Sequence, residues 1–259
     1  MMKKISVLLL IISMLFCLGA CGDGFVLEEE SDLAALNIGV VSSTYGEIYA
    51  KGTGSENLFS YPAMDDAAEA LISGEIDCII TDYNTAKSIA SASDEITTTD
   101  TRIIEDTDFY AAVRTADFDT LAVAEVVTAE LDKETDFSKL CRGFVENTGE
   151  ERDAFITEDQ IGSSGTFTLG VIADTPPYAY ETSDGSLAGI SVEYAKRFAE
   201  KRDQTLEIKV YSNKTALSNA LKTGEIDVFF REAPLPATPG VSYSTVCYTA
   251  ELRILIADK

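Results

Sequence analysis

The 259-residue sequence contains no histidine and no tryptophan, and it has only 20 basic side chains against 44 acidic ones. Histidine is the side chain most often used as a general acid or base near neutral pH, so any catalysis would have to rest on Asp or Glu. The formal net charge of −24 argues against nucleic acid as a partner, because the phosphate backbone would be repelled. These absences favour a binding protein over an enzyme, and no cofactor is predicted.

Cysteine is also scarce, and the five residues do not form a recognisable pattern. Cys17 and Cys21 lie in or beside the N-terminal segment discussed next, which leaves Cys78, Cys141 and Cys247. Three residues allow at most one disulfide, and no spacing typical of a disulfide framework or a metal site is present. Cys78 opens an apolar stretch and is predicted to lie in the core. Whether Cys141 and Cys247 pair is left open.

The first 21 residues have the features of a bacterial lipoprotein signal. Lys3 and Lys4 form a basic start, residues 5–15 are apolar but too short for a typical membrane-spanning helix, and Leu18-Gly19-Ala20-Cys21 resembles a lipobox. We therefore expect residues 1–20 to be removed, Cys21 to be lipidated and residues 21–32 to form a tether. The protein would then be held on the extracellular face of the cell membrane. An ordinary secretory signal or a single membrane anchor is the alternative.

One motif occurs twice, at residues 70–80 and 220–230. Both copies read Ala-Leu-x-x-Gly-Glu-Ile-Asp and continue into an apolar run. This pattern predicts a helix that ends at a glycine in the left-handed conformation, at Gly74 and at Gly224, followed by a short buried strand. The repeat predicts two related α/β lobes.

The hydrophobic pattern predicts a succession of short strands and helices. Strands are expected at residues 37–41, 58–61, 78–81, 102–105, 109–114, 166–172, 206–211, 228–230 and 252–257. Helices are expected from Asp66, with Glu69 completing a capping box, at residues 84–92, 120–131, 137–145 and 192–201, and through Ala220. Asp184-Gly185 predicts a hairpin tip, and residues 147–165, rich in Gly, Ser, Glu and Asp, predict a linker.

A longer set of motifs resembles a known family. Residues 166–230 contain Leu169-Gly170-Val171, Pro176-Pro177-Tyr178-Ala179-Tyr180 and Gly224-Glu225-Ile226-Asp227. In this order they closely resemble the first lobe of the family 3 extracellular solute-binding proteins, the receptors of amino-acid-type ABC importers. Residues 33–145, with Ile38-Gly39-Val40 and Gly74-Glu75-Ile76-Asp77, resemble that family's second lobe.

The resemblance implies a two-lobed α/β fold of the periplasmic-binding-protein-like type II class, with a ligand cleft between the lobes. Because the second lobe precedes the first, the chain resembles a circular permutant. Residues 33–114 would be lobe two, with a hinge strand at 109–114. Residues 115–146 would be helices packed on lobe one, 147–165 the linker and 166–259 lobe one. Chain ends commonly lie close together in domains, which makes such a rearrangement tolerable. Two degenerate tandem copies are the alternative.

The resemblance also implies ligand-binding residues. The family binds the ammonium of an amino acid with an Asp, whose position matches Asp82; the alternative is an Asp that only caps a helix. Ser42, Ser43 and Thr44 match a helix N-terminus that offers hydroxyls and amides to an anion.

The family's carboxylate-binding Arg is missing, because the corresponding stretch here is 237–241 and contains no Arg. Lys214 and Arg231 are the candidate replacements, although Arg231 could instead pair with Glu232. Tyr178 and Tyr180 could supply aromatic surface, or they could serve only in packing.

The sequence thus predicts a membrane-anchored substrate-binding lipoprotein that binds an amino-acid-like solute by lobe closure and delivers it to an ABC permease. Two alternatives remain open. The chain could be a ligand-sensing or partner-binding lipoprotein with a degenerate cleft, or a lyase or dehydratase built on the same fold.

Overall fold

Two long strands join two α/β lobes. The computed structural model describes residues 27, 29–101, 103, 105–232 and 237–258. In it, β5 (Asp106–Arg114) and β11 (Val241–Ala257) both run from one lobe to the other. The first part of β11 pairs antiparallel with β5, and its last part pairs with the sheet of the other lobe. The predicted signal segment and Cys21 lie outside the described residues. Among the described helices, none is long and apolar enough to cross a membrane.

The N-terminal lobe contains a short parallel sheet with helices on its faces. Its elements are a 3₁₀ helix (Glu30–Ala35), β1 (Asn37–Val41), α1 (Tyr45–Gly52), β2 (Asn57–Tyr61), α2 (Met64–Ser73), β3 (Cys78–Asp82), α3 (Tyr83–Ala92) and β4 (Ile96–Thr98). Strand β1 pairs in parallel with β2 and β3, and the last part of β11 lies between β3 and β4. Cys78 is fully buried in this lobe, as predicted.

The C-terminal lobe is formed by residues 118–232 together with β5 and the first part of β11. Its elements are α4 (Phe118–Leu131), α5 (Thr135–Glu146), α6 (Gly149–Asp153), β6 (Thr166–Val171), the β7–β8 hairpin (Tyr180–Glu181 and Leu187–Ala188), α7 (Ile190–Lys201), β9 (Thr205–Val210), α8 (Lys214–Thr223) and β10 (Val228–Glu232). The strand order is β11-β5-β10-β6-β9. Phe137 and Phe144 of α5 share one core with Phe167 and Phe198.

The repeated motif has the predicted geometry in both lobes. Gly74 and Gly224 end α2 and α8 with φ angles of 77° and 78°. After each glycine, an Asp carboxylate accepts a hydrogen bond from the first part of the neighbouring strand: Asp77 from the Asn37 N–H and Asp227 from the Thr168 N–H, both at 2.8 Å. The repeat therefore joins helix and sheet in the same way in the two lobes. The predicted two-lobed α/β architecture is confirmed.

Three local predictions differ from the structure. Helix α2 begins at Met64 and has no side-chain cap bond, so the predicted capping box at Asp66 is wrong; Asp66 lies inside the first turn, where its negative charge suits the helix dipole. Strand β4 was not predicted. Residues 103 and 105 are not in a strand, while the rest of the predicted strand at 102–105 lies outside the described residues.

The segment 147–165 is anchored along its length. It contains α6, whose Arg152 is buried and donates to Ser88 Oγ of the N-terminal lobe at 2.7 Å. The buried Glu193 carboxylate accepts from the Thr157 hydroxyl at 2.6 Å, and Ser164 binds Asp203. The circular permutation itself is a relation to other chains and remains a proposal.

Candidate functional site: the cleft between the lobes

Asp82 connects the two lobes at the end of β3. Its Oδ1 accepts a hydrogen bond from the Thr85 N–H at 3.1 Å, which caps α3, and another from the Tyr178 hydroxyl at 2.5 Å. Tyr178 belongs to the C-terminal lobe, directly after the cis Pro176-Pro177 bond. Asp82 is only 6% exposed. It therefore caps a helix and also binds a group from across the cleft.

The Tyr178 hydroxyl stays protonated and donates the hydrogen bond to Asp82. Burial, followed by the charge of Asp82, raises the pKa of Tyr178 well above its ordinary value of 10.0. The hydroxyl therefore keeps its proton, and the Asn84 side-chain amide donates to its oxygen at 3.3 Å. Asp82, Asn84 and Tyr178 form one hydrogen-bonded group between the lobes.

Lys214 makes a second connection across the cleft. It is the first residue of α8, and its Nζ donates to the Ser43 carbonyl of the N-terminal lobe at 2.5 Å. The same ammonium donates to Glu232 Oε1 at 3.1 Å. Glu232 is the last residue of β10, so Lys214 joins two parts of its own lobe to the loop before α1.

The N-terminus of α1 is occupied by carboxylates of the chain itself. Thr44 caps the helix and accepts from the Glu47 N–H at 3.3 Å. The Ser43 N–H donates to Glu47 Oε2 at 2.8 Å, and the Tyr45 N–H lies near the Glu232 carboxylate and lowers its pKa. The Ser43 amide of the predicted anion site thus already has an anionic acceptor. The Ser42 N–H is used as well, by the Tyr61 carbonyl at 2.8 Å.

Glu232 is desolvated and lies near a second acid. Its side chain is 13% exposed. Burial raises its pKa, the Lys214 ammonium lowers it, and the Asp82 carboxylate raises it; the result is a pKa above the ordinary 4.5. The cleft therefore brings two carboxylates together with one ammonium.

Three aromatic rings lie beside Asp82. The Phe109 and Tyr248 rings, on the two strands that join the lobes, are stacked with centroids 4.4 Å apart. Tyr178 lies 4.9 Å from Phe109 and 5.5 Å from Tyr248. Among the described residues, nothing forms a hydrogen bond with the buried Tyr248 hydroxyl. The cleft thus has aromatic surface next to its acidic groups.

One predicted site residue, Tyr180, lies elsewhere, and Arg231 does not form the ion pair that the sequence allowed. The Tyr180 hydroxyl donates to Asp153 at 3.1 Å and its ring lies under Arg152, so Tyr180 contacts α6 and not the Asp82 group. Arg231 has a buried Nε for which the described residues provide no partner. Glu232 pairs with Lys214, not with Arg231 as the sequence allowed.

Sequence reasoning did not select Glu232, Phe109 or Tyr248 as site residues. Phe109 and Tyr248 are Cα partners in the β5–β11 ladder, and Glu232 is the Cα partner of Phe109. Strand register, which a single sequence does not reveal, brings all three together. The only local signals were the position of Phe109 at the start of a predicted strand and that of Glu232 shortly after another. Within the described part of the chain, no group of three or more Cys, Asp or Glu residues could hold a metal ion.

Several solved structures have similar architecture at low sequence identity. The GluR0 ligand-binding core in complex with L-glutamate aligns with a TM-score of 0.45 and 11% identity, covering 86% of this chain and 85% of that one. An ancestral arginine-binding protein bound to arginine aligns with a TM-score of 0.44 and 14% identity, covering 86% and 84%. A full-length OxyR variant from Pseudomonas aeruginosa aligns with a TM-score of 0.46 and 11% identity, covering 98% and 70%.

The search of curated proteins finds no match. The scan of family models finds one match, which begins at the start of β6 and extends just past β10. This stretch holds the Pro-Pro-Tyr and Gly-Glu-Ile-Asp motifs and the residues Tyr178, Lys214 and Glu232. Over residues 167–234, the chain matches the bacterial extracellular solute-binding proteins, family 3, as the motifs of that segment predicted.

Proposed function

We propose that the cleft binds a small polar solute with a positively charged amino group, an amino acid or a close relative. The protein would be the extracellular substrate-binding lipoprotein of an ABC importer, anchored to the membrane through Cys21, and would deliver its ligand to the permease. Solute binding is the role of the family that residues 167–234 match. It would act by binding alone, without catalysis.

The position of Asp82 carries this proposal. A carboxylate that is 6% exposed between two lobes accepts its cross-cleft hydrogen bond from a neutral phenol. A ligand ammonium at this position would form a charge-assisted bond, which is about twice as strong as a neutral one. The ligand would displace the Tyr178 hydroxyl and hold the lobes together in its place. Lys214 and Arg231 are the candidate partners for an anionic end of the ligand, with Ser42, Ser43 and Thr44 beside them.

The first test is Asp82→Asn, with binding measured by calorimetry. Asn retains the helix cap, so the fold should persist, but the charge is lost. Removing one partner of a buried charged pair costs about 2–5 kcal/mol, so affinity should fall at least tenfold. Asp117→Asn, at the cap of α4 and outside the cleft, is the matched control. Equal affinity in the Asp82 variant would remove Asp82 from the site.

The anchor is tested separately. Cys21→Ser should release the protein from membranes, because serine lacks the thiol to which the lipid would be attached. Mass spectrometry of the wild-type protein should find residues 1–20 removed and Cys21 acylated. Detection of an intact N-terminus would contradict the proposal.

A second candidate function is a sensing or partner-binding lipoprotein whose cleft takes no solute. One observation favours it: the polar groups of the cleft already have partners within the chain, through Tyr178, Lys214 and Glu232. A thermal-shift panel of amino acids, amines and small anions separates the candidates, since a ligand raises the melting temperature by mass action. A pure interaction module would not respond, and a lyase or dehydratase would consume its ligand.

A further inference from the structure

Glu232 occupies the place where the cleft would otherwise offer hydrogen-bond donors to an anion. Its carboxylate lies near the Tyr45 N–H in the first turn of α1, which lowers its pKa, and it accepts a hydrogen bond from the Lys214 ammonium at 3.1 Å. The next amide, that of Ser43, is taken by Glu47. A helix N-terminus favours one negative charge, and here the chain supplies it. A ligand carboxylate entering this place would meet a carboxylate that is already bound.

The charges of the cleft also disfavour a ligand carboxylate. Asp82 and Glu232 are both acidic and lie near each other, and Lys214 is the one base that forms an ion pair with Glu232 within the described residues. Side chains alternate along a strand, so Arg231 and Glu232 lie on opposite faces of the sheet. A zwitterionic ligand has no net charge, so it would leave the excess negative charge of the cleft in place. Its carboxylate would also lie near a carboxylate of the protein. A cation without a carboxylate would neutralise it, and desolvated charges require such pairing.

The aromatic rings suit the same ligand class. Phe109, Tyr178 and Tyr248 lie within 5.5 Å of one another beside the carboxylate of Asp82. Aromatic faces attract ammonium and guanidinium groups, most strongly where water is excluded. A carboxylate near these rings would gain nothing comparable.

We propose that Glu232 determines the specificity of the cleft by occupying the anion position, so that the preferred ligands are amines or guanidines without a carboxylate. This inference rests on the proposed function, because it names the ligand class of the same cleft. Lys214 acts in it as a positioning residue, which holds Glu232 against α1 and is thereby neutralised.

The experiment compares matched pairs of compounds that differ by one carboxylate: agmatine with arginine, cadaverine with lysine, and tyramine with tyrosine. Affinities for the full folded protein are measured by calorimetry after a thermal-shift screen. In a pair that binds, the amine should bind at least about tenfold more tightly. Glu232→Gln keeps the shape and an acceptor oxygen but removes the charge, so it should reduce this ratio at least about tenfold. Glu130→Gln, in α4 and paired with Lys201 outside the cleft, should leave the ratio unchanged.

The outcomes separate this inference from the proposed function. If an amino acid binds as tightly as its amine, the inference is overturned while solute binding stands. An unchanged ratio in a folded Glu232→Gln variant overturns the role of Glu232. If none of the six compounds raises the melting temperature of either protein, the inference fails together with the proposed function, and the partner-binding alternative is favoured.

Discussion

At the residue scale, Glu232 and Glu47 form an informative pair. Both carboxylates lie near backbone N–H groups at the start of α1, but their surroundings differ. Burial is the largest influence on Glu232 and raises its pKa above 4.5. For Glu47 the hydrogen bond from Ser43 is the largest influence and lowers the pKa below 4.5. Burial therefore disfavours ionisation of Glu232, whereas the helix end favours that of Glu47.

This difference predicts pH effects of opposite sign. A raised folded-state pKa means that the folded protein binds the proton more tightly than the unfolded chain does. Ionisation of Glu232 therefore lowers the stability of the fold as the pH rises above the ordinary pKa of the group. The melting temperature of Glu232→Gln should therefore rise relative to that of the wild type between about pH 4 and pH 7. That of Glu47→Gln should fall over the same range, because the lowered pKa of Glu47 stabilises the fold once the group is ionised. Circular dichroism melts measure both, and a common direction for the two variants would contradict the argument.

The sequence selected several residues that meet in the cleft, and it did so through local motifs. Asp82 ends a strand after the Gly-Glu-Ile-Asp unit, and Lys214 begins a helix, so both positions could be inferred from neighbouring residues. Glu232 and Tyr248 depend on strand register and on the angle between lobes, which distant residues determine. Tyr180 was chosen with Tyr178, but its hydroxyl binds Asp153 of α6.

At the element scale, α1 lies directly on β3. Gly46, in its first turn, has no side chain, and a Cβ there would be 2.4 Å from the Ile80 carbonyl oxygen. Because that oxygen belongs to the backbone of a central strand, the helix would have to move. Its N-terminus places the Tyr45 N–H near Glu232, so the geometry of the cleft depends on this close approach.

Gly46→Ala should destabilise the protein by about 1–3 kcal/mol, the usual cost of forcing extra atoms into a packed interior. It should also weaken any ligand binding, because α1 shifts away from β3. Gly52→Ala is the matched control in the same helix: a Cβ there meets nothing within 4 Å, so the change should stabilise by up to about 1 kcal/mol. Chemical unfolding compares the two. A neutral Gly46 variant would show that α1 is free to move.

Elements were predicted well where the signal was local. The glycine-terminated helices α2 and α8 follow from a left-handed cap and an apolar stripe, both visible in a short window. Strand β4 has only three residues and is held by pairing with β11, a partner more than 150 positions away in the sequence. Helix α6 was missed within a polar segment because the burial of Arg152 against Ser88 stabilises it from outside.

At the scale of the whole molecule, the two ends of the described chain lie on one side of the N-terminal lobe. The Leu27 carbonyl accepts a hydrogen bond from the Thr101 hydroxyl, and the Asp258 N–H donates to the Glu95 carbonyl at 2.8 Å. The segment from 95 to 101 spans at most about 20 Å. The ends are thus close enough to be joined by a short linker, as a circular permutation requires.

A re-cut chain tests this arrangement. Residue 258 would be joined to residue 29 by about ten Gly and Ser residues, which reach across this gap with slack. New ends would be opened near Ile161, which is 90% exposed, between the anchored residues Thr157 and Ser163. Strand β11 would then continue directly into the N-terminal lobe. This is the order of the lobes in the family that the chain resembles. We expect a cooperative fold with the circular dichroism spectrum of the original chain. The original chain nicked at 161 is the control for opening the chain there. If the nicked chain keeps its fold and the re-cut chain does not, the ends cannot be joined, which would argue against the permutation.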